Sequence, residues 1–353
     1  MMDKARSQQF MAKLVGDAAT VLAAGALVVG DRVGLFKAMA GAGALTPQAL
    51  AQRSGLLPRV VEEWLAVMAG AGYVVHDAAD GRFTLPDEHA QFLTNPASEY
   101  YLGGLFSGMP GLMASLPRVA EAFAKGEGLR FADYGSDMPL ALEAMNRSVY
   151  ENRLVRDWLK AVPDAVQRLQ QGGRALDVGC GTGIVPITLA KAFTSATVAG
   201  VDFDARSIEL ARHRAEEAGV AQRVQWLQAP VEALPRDAPW DLITSFDVIH
   251  DLPDPLAALM HIRAALAEGG TYLMVEPKAA DELADNLGNP FARMLYGMSC
   301  LHCVPQSLAQ GGPGLGACWG ETRARRLAAQ AGFGEFRRLE VRSPAMAFYA
   351  LRR

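Results

Sequence analysis

The run Ala175-Leu176-Asp177-Val178-Gly179-Cys180-Gly181-Thr182-Gly183 constrains this chain more than any other. Its apolar half predicts a short buried strand. Its alternating glycines predict a tight turn into a helix that begins near Ile184. Glycine lets a backbone turn sharply and approach a ligand closely. A second strand is predicted over Thr197–Val201 and ends on Asp202. A carboxylate there is placed to accept hydrogen bonds from both hydroxyls of a ribose. A dinucleotide site requires GxGxxG, opening toward a pyrophosphate. Here the spacing is GxGxG, and Asp177 stands two residues before the first glycine. That acid repels a pyrophosphate but can receive the ammonium of an amino-acid tail. A glycine turn with no ligand is the plainer alternative.

The pattern resembles the nucleotide-binding loop of the S-adenosylmethionine-dependent methyltransferases with a Rossmann-like fold. The resemblance implies S-adenosylmethionine as the cofactor. It implies a site of Asp177, Gly179, Gly181 and Gly183 after the first strand and Asp202 and Phe203 after the second. Pro230 and Val231 follow the third strand, and Phe246 the fourth. Many relatives carry an adenine-binding aspartate where this chain has Pro230. Proline offers neither a side-chain acceptor nor an N–H, so adenine recognition falls to neighbouring backbone and apolar contacts.

From residue 174 onward strands and helices alternate, which predicts a mostly parallel sheet covered on both faces. Strands are expected at Arg174–Val178, Thr197–Val201, Val224–Leu227, Leu242–Phe246 and Thr271–Val275, with helices near 184–193, 205–218, 254–267 and 321–331. Phe336–Val341 and Ala345–Leu351 lie too close together for a crossover helix, so they are expected to pair as an antiparallel edge hairpin. The fold class expected is α/β, a seven-stranded Rossmann-like sheet with an edge hairpin. An all-helical, winged-helix domain precedes it.

That N-terminal domain is read over residues 1–95. Residues 8–43 have helical spacing. Thr46 fits an N-cap and Pro47 a first helical position. A longer helix is expected from Pro58 to Gly70, with Val61, Leu65 and Met68 on one face. Tyr73–His76 and Arg82–Leu85 read as a hairpin around Asp80-Gly81. Helix, turn, helix, hairpin is a winged-helix plan. The candidate recognition helix sets Arg59 against Glu62 and Glu63, so its face is not basic. Dimerisation is therefore preferred to DNA binding. Residues 96–170 are expected to form a helical linker and pocket region. Residues 171–353 form the cofactor domain, with a lid insertion over 278–320.

The net charge of −4 argues against a nucleic-acid partner, because phosphate binding needs a basic footprint. Four cysteines in 353 residues do not make a disulfide framework. The start lacks a secretion signal, and the most apolar segment, Ala18–Gly30, is too short to span a bilayer. The expectation is a soluble cytoplasmic protein with no membrane partner. It is expected to act on a small-molecule substrate and to form a homodimer through the apolar helices of residues 8–125.

Three residues are candidates for chemistry. His250 follows the fourth strand and Glu276 the fifth; His302 lies in the lid. A histidine can take a proton near neutral pH, and a carboxylate can orient it. The alternative roles are anchoring of its own loop for His250 and capping of backbone amides for Glu276. Cys300 and Cys303 form a Cys-x-x-Cys without a second pair, too little for a zinc site. His250 and His302 with one carboxylate would suit a divalent or ferric ion, but no metal is assigned.

Over residues 10–353 the chain resembles bacterial class I methyltransferases that carry a winged-helix-like dimerisation domain, as small-molecule O-methyltransferases do. The cofactor loop, His250-Asp251, Glu276-Pro277 and the run from Leu301-His302-Cys303 to Trp319-Gly320 carry the resemblance. It implies methyl transfer to a small, partly apolar acceptor, with oxygen ahead of carbon or nitrogen and His250 as general base. Similar α-keto-acid C-methyltransferases hold iron with two histidines, which His250 and His302 would match. The alternative is a winged-helix transcriptional regulator that has kept the cofactor fold.

Overall fold

The computed structural model describes residues 2–234 and 239–353. The chain falls into two compact units, Met1–Pro110 with Ala144–Val149, and Gly111–Glu143 with Tyr150–Arg353.

The first unit opens with α1 (Lys4–Arg32), capped by Asp3, whose carboxylate accepts from the N–H groups of Ala5 and Arg6. Only its last third is held. Gly30 sits so close to Trp64 that a Cβ would lie 2.4 Å from the indole, and the Trp64 Nε1–H donates to the Ala26 carbonyl at 2.8 Å. The earlier turns expose Phe10, Leu14, Val15, Val21 and Leu22. Among the described residues α1 is the one helix long and apolar enough to cross a membrane by length and composition. Ala18–Gly30 is thus part of a longer helix than its own apolar run.

Thr46 caps α2 (Pro47–Ser54) through the Ala49 N–H, as the Thr-Pro pair predicts. Val61, Trp64, Leu65 and Met68 of α3 (Pro58–Gly70) form the buried stripe, packed with Leu27, Phe36, Met39 and Leu50. A hairpin of β1 (Val75–Asp77) and β2 (Arg82–Thr84) follows. Leu45 and Phe83 exchange backbone hydrogen bonds, which ties the hairpin to the segment before α2. On the exposed side of α3, Arg59 pairs with Glu63 at 2.5 Å and with Glu62 at 3.9 Å.

The second unit is a seven-stranded sheet. Its strands are β3 (Arg174–Val178), β4 (Thr197–Asp202), β5 (Val224–Gln228), β6 (Trp240–Phe246), β7 (Leu266–Pro277), β8 (Glu335–Arg338) and β9 (Met346–Arg352). Their order is β5-β4-β3-β6-β7-β9-β8. The first five pair in parallel, while β9 runs antiparallel to both β7 and β8. The expected edge hairpin is therefore present. Helices α4 (Ile184–Ala192), α5 (Ala205–Glu217), α6 (Pro255–Ala265) and α7 (Glu321–Gln330) cover the sheet. Leu176, Val178, Ile243, Met274 and Tyr272 are buried with Ile262 and Ala328 in one continuous core. Such a sheet binds ligands beyond its carboxyl ends, where strand order reverses. The reversal lies at β3, between β4 and β6.

Candidate active site

At the carboxyl end of β3 the backbone folds back on β4. The N–H groups of Gly179 and Cys180 both donate to the Val201 carbonyl, at 2.8 and 3.0 Å. Gly179 has φ 68°, and a Cβ there would lie 2.5 Å from Val248. Gly183 has φ 86°, and a Cβ would lie 2.5 Å from Trp226. Both positions demand glycine on two counts. Gly181, between them, opens onto free space.

Asp202 braces this turn. One carboxylate oxygen accepts the Gly181 N–H at 2.8 Å, the other the Asp204 N–H at 2.9 Å. Burial pushes its pKa up to about 6 against the pull of those backbone donors. Asp177 is buried beneath it, and the Thr244 hydroxyl donates to its Oδ1 at 2.6 Å. Burial, with a contribution from nearby Asp202, pushes Asp177 up to about 8 despite the Thr244 bond. A buried carboxyl in that condition suits a ligand ammonium. Open space at Gly181, the buried Asp177 and the half-buried Asp202 fit the nucleoside and amino-acid tail of S-adenosylmethionine.

The other cofactor candidates sit on neighbouring strand ends. Phe203 is half exposed after β4, and Pro230 is exposed and Val231 buried after β5. Phe246 ends β6 with its ring 5.0 Å from that of Tyr150 and 5.9 Å from that of Trp158.

At the ends of β6 and β7 the acids gather round one histidine. Glu276 is 2% exposed and His250 likewise. The His250 Nδ1–H donates to Glu276 Oε2 at 2.5 Å. The Trp319 indole N–H donates to the same oxygen at 3.0 Å, and the Ile249 N–H donates to Oε1 at 3.0 Å. Glu276 thus fixes the ring and its tautomer, leaving Nε2 as the working nitrogen. Burial alone would lower the His250 pKa. The Asp251 and Glu276 carboxylates outweigh it and hold it well above the ordinary histidine value.

Asp247 precedes this group. It is the one non-glycine residue of positive φ (56°) among the described residues, a conformation that aspartate adopts more readily than most side chains. Its carboxylate accepts the Tyr150 hydroxyl at 3.2 Å. Burial first, then Glu276, push it up to about 7.

His302 lies apart from the Glu276 pair, in a π-helical turn over Ser299–Cys303. Burial lowers its pKa, so it stays neutral. Its ring is 4.7 Å from that of Tyr134 and stacks on Phe131 at 6.0 Å, and Phe131 meets Phe203 edge-on at 6.0 Å. An aromatic row therefore joins the end of β4 to the lid. Tyr134 also donates its hydroxyl to the Leu301 carbonyl at 2.8 Å. His213 is exposed on α5, 3.3 Å from Glu217.

The structure thus groups Asp177, the three glycines and Asp202 in one corner, and His250 with Glu276 in the next. Sequence reading omitted Thr244, Trp319, Tyr150 and Phe131 from the site. Nothing local marks Thr244 or Tyr150, whose partners are 67 and 97 residues away. Trp319 stood inside the run that carried the family resemblance.

Residues 169–332 match the family model of a methyltransferase domain, and residues 21–95 match that of an Rv2258c-like winged helix-turn-helix domain. A ubiquinone biosynthesis O-methyltransferase of Paracidovorax citrulli is 34% identical over 132 residues, 36% of this chain and 52% of the relative. A trans-aconitate 2-methyltransferase of an Azoarcus species is 31% identical over 157 residues, 43% of this chain and 58% of the relative. The chain thus spans about half the length of these curated relatives. Among solved structures, mitomycin 7-O-methyltransferase superposes with TM-score 0.68 at 18% identity, covering 99% of this chain and 100% of the other. Human N-acetylserotonin methyltransferase with bound S-adenosylmethionine superposes with TM-score 0.68 at 16% identity, covering 100% and 98%. At such identities the likeness is one of fold.

Proposed function

From a chain that carries a methyltransferase domain behind a winged helix-turn-helix domain, we propose an S-adenosylmethionine-dependent methyltransferase whose acceptor is a small, partly apolar organic molecule, methylated on oxygen. The observation that carries this reading is the buried Glu276–His250 pair, one strand-end from the glycine turn and Asp202. The cofactor, when bound, supplies a methyl group made electrophilic by its sulfonium.

The protein's own contribution is placement and proton removal. Asp202 receives the ribose hydroxyls with the lone pairs its two backbone bonds leave over. Asp177 receives the ammonium of the amino-acid tail. Pro230, Val231 and Phe246 supply apolar contact on that side. His250 Nε2 would take the acceptor's hydroxyl proton at methyl transfer. Glu276 holds the ring in place and stabilises the imidazolium that forms. His302, Phe131 and Tyr134 wall the acceptor and keep water from the reacting atoms. Some relatives are named for oxygen acceptors, which favours oxygen over nitrogen or carbon.

The exposed apolar face of α1 is assigned to a second copy of the chain, so the working form is a homodimer. Four free cysteines suit a reducing, cytoplasmic setting. A winged-helix regulator is disfavoured because Arg59, on α3, is neutralised by Glu63.

The test is methyl transfer from labelled cofactor to a panel of hydroxylated small molecules, beside DNA retention at moderate salt. Turnover on a phenol or alcohol without DNA retention is the expected result. Sequence-selective DNA binding without turnover would reverse the assignment.

A further inference from the structure

We propose that His250 Nε2, the Asp251 carboxylate and Cys303 Sγ form a binding site for a thiophilic divalent cation of the zinc class. Among the described residues these side chains form the one group of three or more potential ligands whose donor atoms all lie within 4.8 Å of one another. They come from two elements, the turn after β6 and the π-helical turn of the lid. Nitrogen, oxygen and sulfur donors together suit zinc better than magnesium or calcium, which prefer oxygen alone.

Three features point to an ion beyond the mere cluster. Asp251 Oδ1 is buried and faces His250 Nε2 at 3.3 Å, with which it forms an ion pair when the ring is protonated. Two ligand atoms on a tetrahedral ion stand roughly 3.3–3.8 Å apart, so this edge already has the spacing of shared coordination. Next, the His250 Nδ1–H is anchored on Glu276. Metal-bound histidines almost always give their second N–H to a carboxylate or carbonyl, which orients the free nitrogen at the ion. Finally, the charges close. A neutral imidazole, one carboxylate and one thiolate balance a divalent cation, and three protein ligands leave a fourth position open.

Binding exchanges protons for metal. The Cys303 S–H bond breaks, its sulfur bonds the cation, and the proton leaves to solvent with the one His250 carries on Nε2. Because binding releases these protons, affinity rises with pH. The pair set aside in the sequence, Cys300 with Cys303, is not the site, because Cys300 is exposed. His302 lies outside this donor group, and its buried Nδ1 has no hydrogen-bond partner.

This inference rests on the proposed function for one consequence only. The cation occupies the lone pair with which His250 removes the acceptor's proton, so loading and methyl transfer compete for one atom.

The test is titration of the metal-free full chain with Co²⁺, then with Zn²⁺. Expected are about one Co²⁺ per chain, a near-ultraviolet thiolate-to-cobalt charge-transfer band, and its loss when Zn²⁺ is added. Cys303→Ser should abolish the band, Cys300→Ser should keep it, and Asp251→Asn should weaken binding by roughly 10–100-fold. Cofactor affinity checks that each variant is folded, and Cys303→Ala repeats the result in a second background. No stoichiometric binding, a band that survives in folded Cys303→Ser and Cys303→Ala, or a band lost in Cys300→Ser overturns the site. Single-turnover methyl transfer is followed in the same titration. A rate that falls with occupancy supports both readings. Occupancy with an undiminished rate supports the site and removes His250 as the base.

Discussion

The two corners of the sheet's carboxyl edge use buried acids in opposite ways. At β3 and β4, Asp177 and Asp202 are spread along a glycine turn and braced by backbone N–H groups and one threonine. At β6 and β7, Glu276, Asp251 and Asp247 surround a single imidazole, and apart from the Ile249 N–H on Glu276 their hydrogen-bond and ion-pair partners described above are side chains. In the function proposed above, the first corner would receive the ligand's donors, and the acids of the second would set the protonation of His250. A binding site can be built from backbone geometry, whereas a proton-transfer site needs charges at controlled separation.

The contrast is broken most directly at His250. His250→Ala should cut the methyl-transfer rate by roughly 10²–10⁴-fold while leaving S-adenosylhomocysteine affinity nearly intact. Single-turnover kinetics and calorimetry on the same preparation separate the two, and a near-wild-type rate would leave positioning alone as the source of catalysis. Glu276→Gln should slow transfer less. It should also move the pH profile. Because the Asp251 and Glu276 carboxylates hold the His250 pKa above the ordinary histidine value, the wild-type rate should climb with pH above the ordinary histidine range. Removing the Glu276 charge should bring that limb to lower pH. A limb that stays in place would deny Glu276 its electrostatic part.

The cofactor corner should answer in binding rather than rate. Asp202→Ala removes the ribose acceptors and should cost roughly 1–3 kcal/mol in S-adenosylhomocysteine affinity. Unchanged affinity in a folded variant would displace the nucleoside from this turn. A smaller effect concerns Asp177. Its pKa of about 8 keeps it protonated in the free protein below that pH, and a bound ammonium favours the carboxylate. Binding should therefore expel a proton, and affinity should rise with pH by up to about tenfold per unit until it levels near 8. Calorimetry in buffers of different ionisation enthalpy measures the proton, and Asp177→Asn should remove the dependence. Last, sedimentation at micromolar concentration should give twice the chain mass; a monomer would release the α1 face from the second copy.

The two corners also differ in how much of them is readable along the chain. The first is local: strand, three glycines and helix are consecutive, and Asp202 ends the very next strand. Strand periodicity and glycine spacing report it because each contact is between neighbours in sequence or in register. The N-terminal helices and hairpin were legible for the same reason, through Thr46-Pro47 and Asp80-Gly81. The length of α1 was not, since its helix runs through polar turns that an apolar window does not count.

What the sequence by itself determined is the order of strands and helices, the glycine turn and the acid that braces it. Short-range sterics and hydrophobic period act on adjacent residues and need no further information. Only the tertiary structure decided that Glu276 holds His250, that Trp319 shares the same carboxylate oxygen, and that Cys303 of the lid faces the turn after β6. Those groups are 26 to 43 residues from one another or farther. What aligns them is the parallel register of β6 and β7 and the path of the lid. Their pKa values follow from burial and neighbouring charge, which exist only once the chain has closed around them.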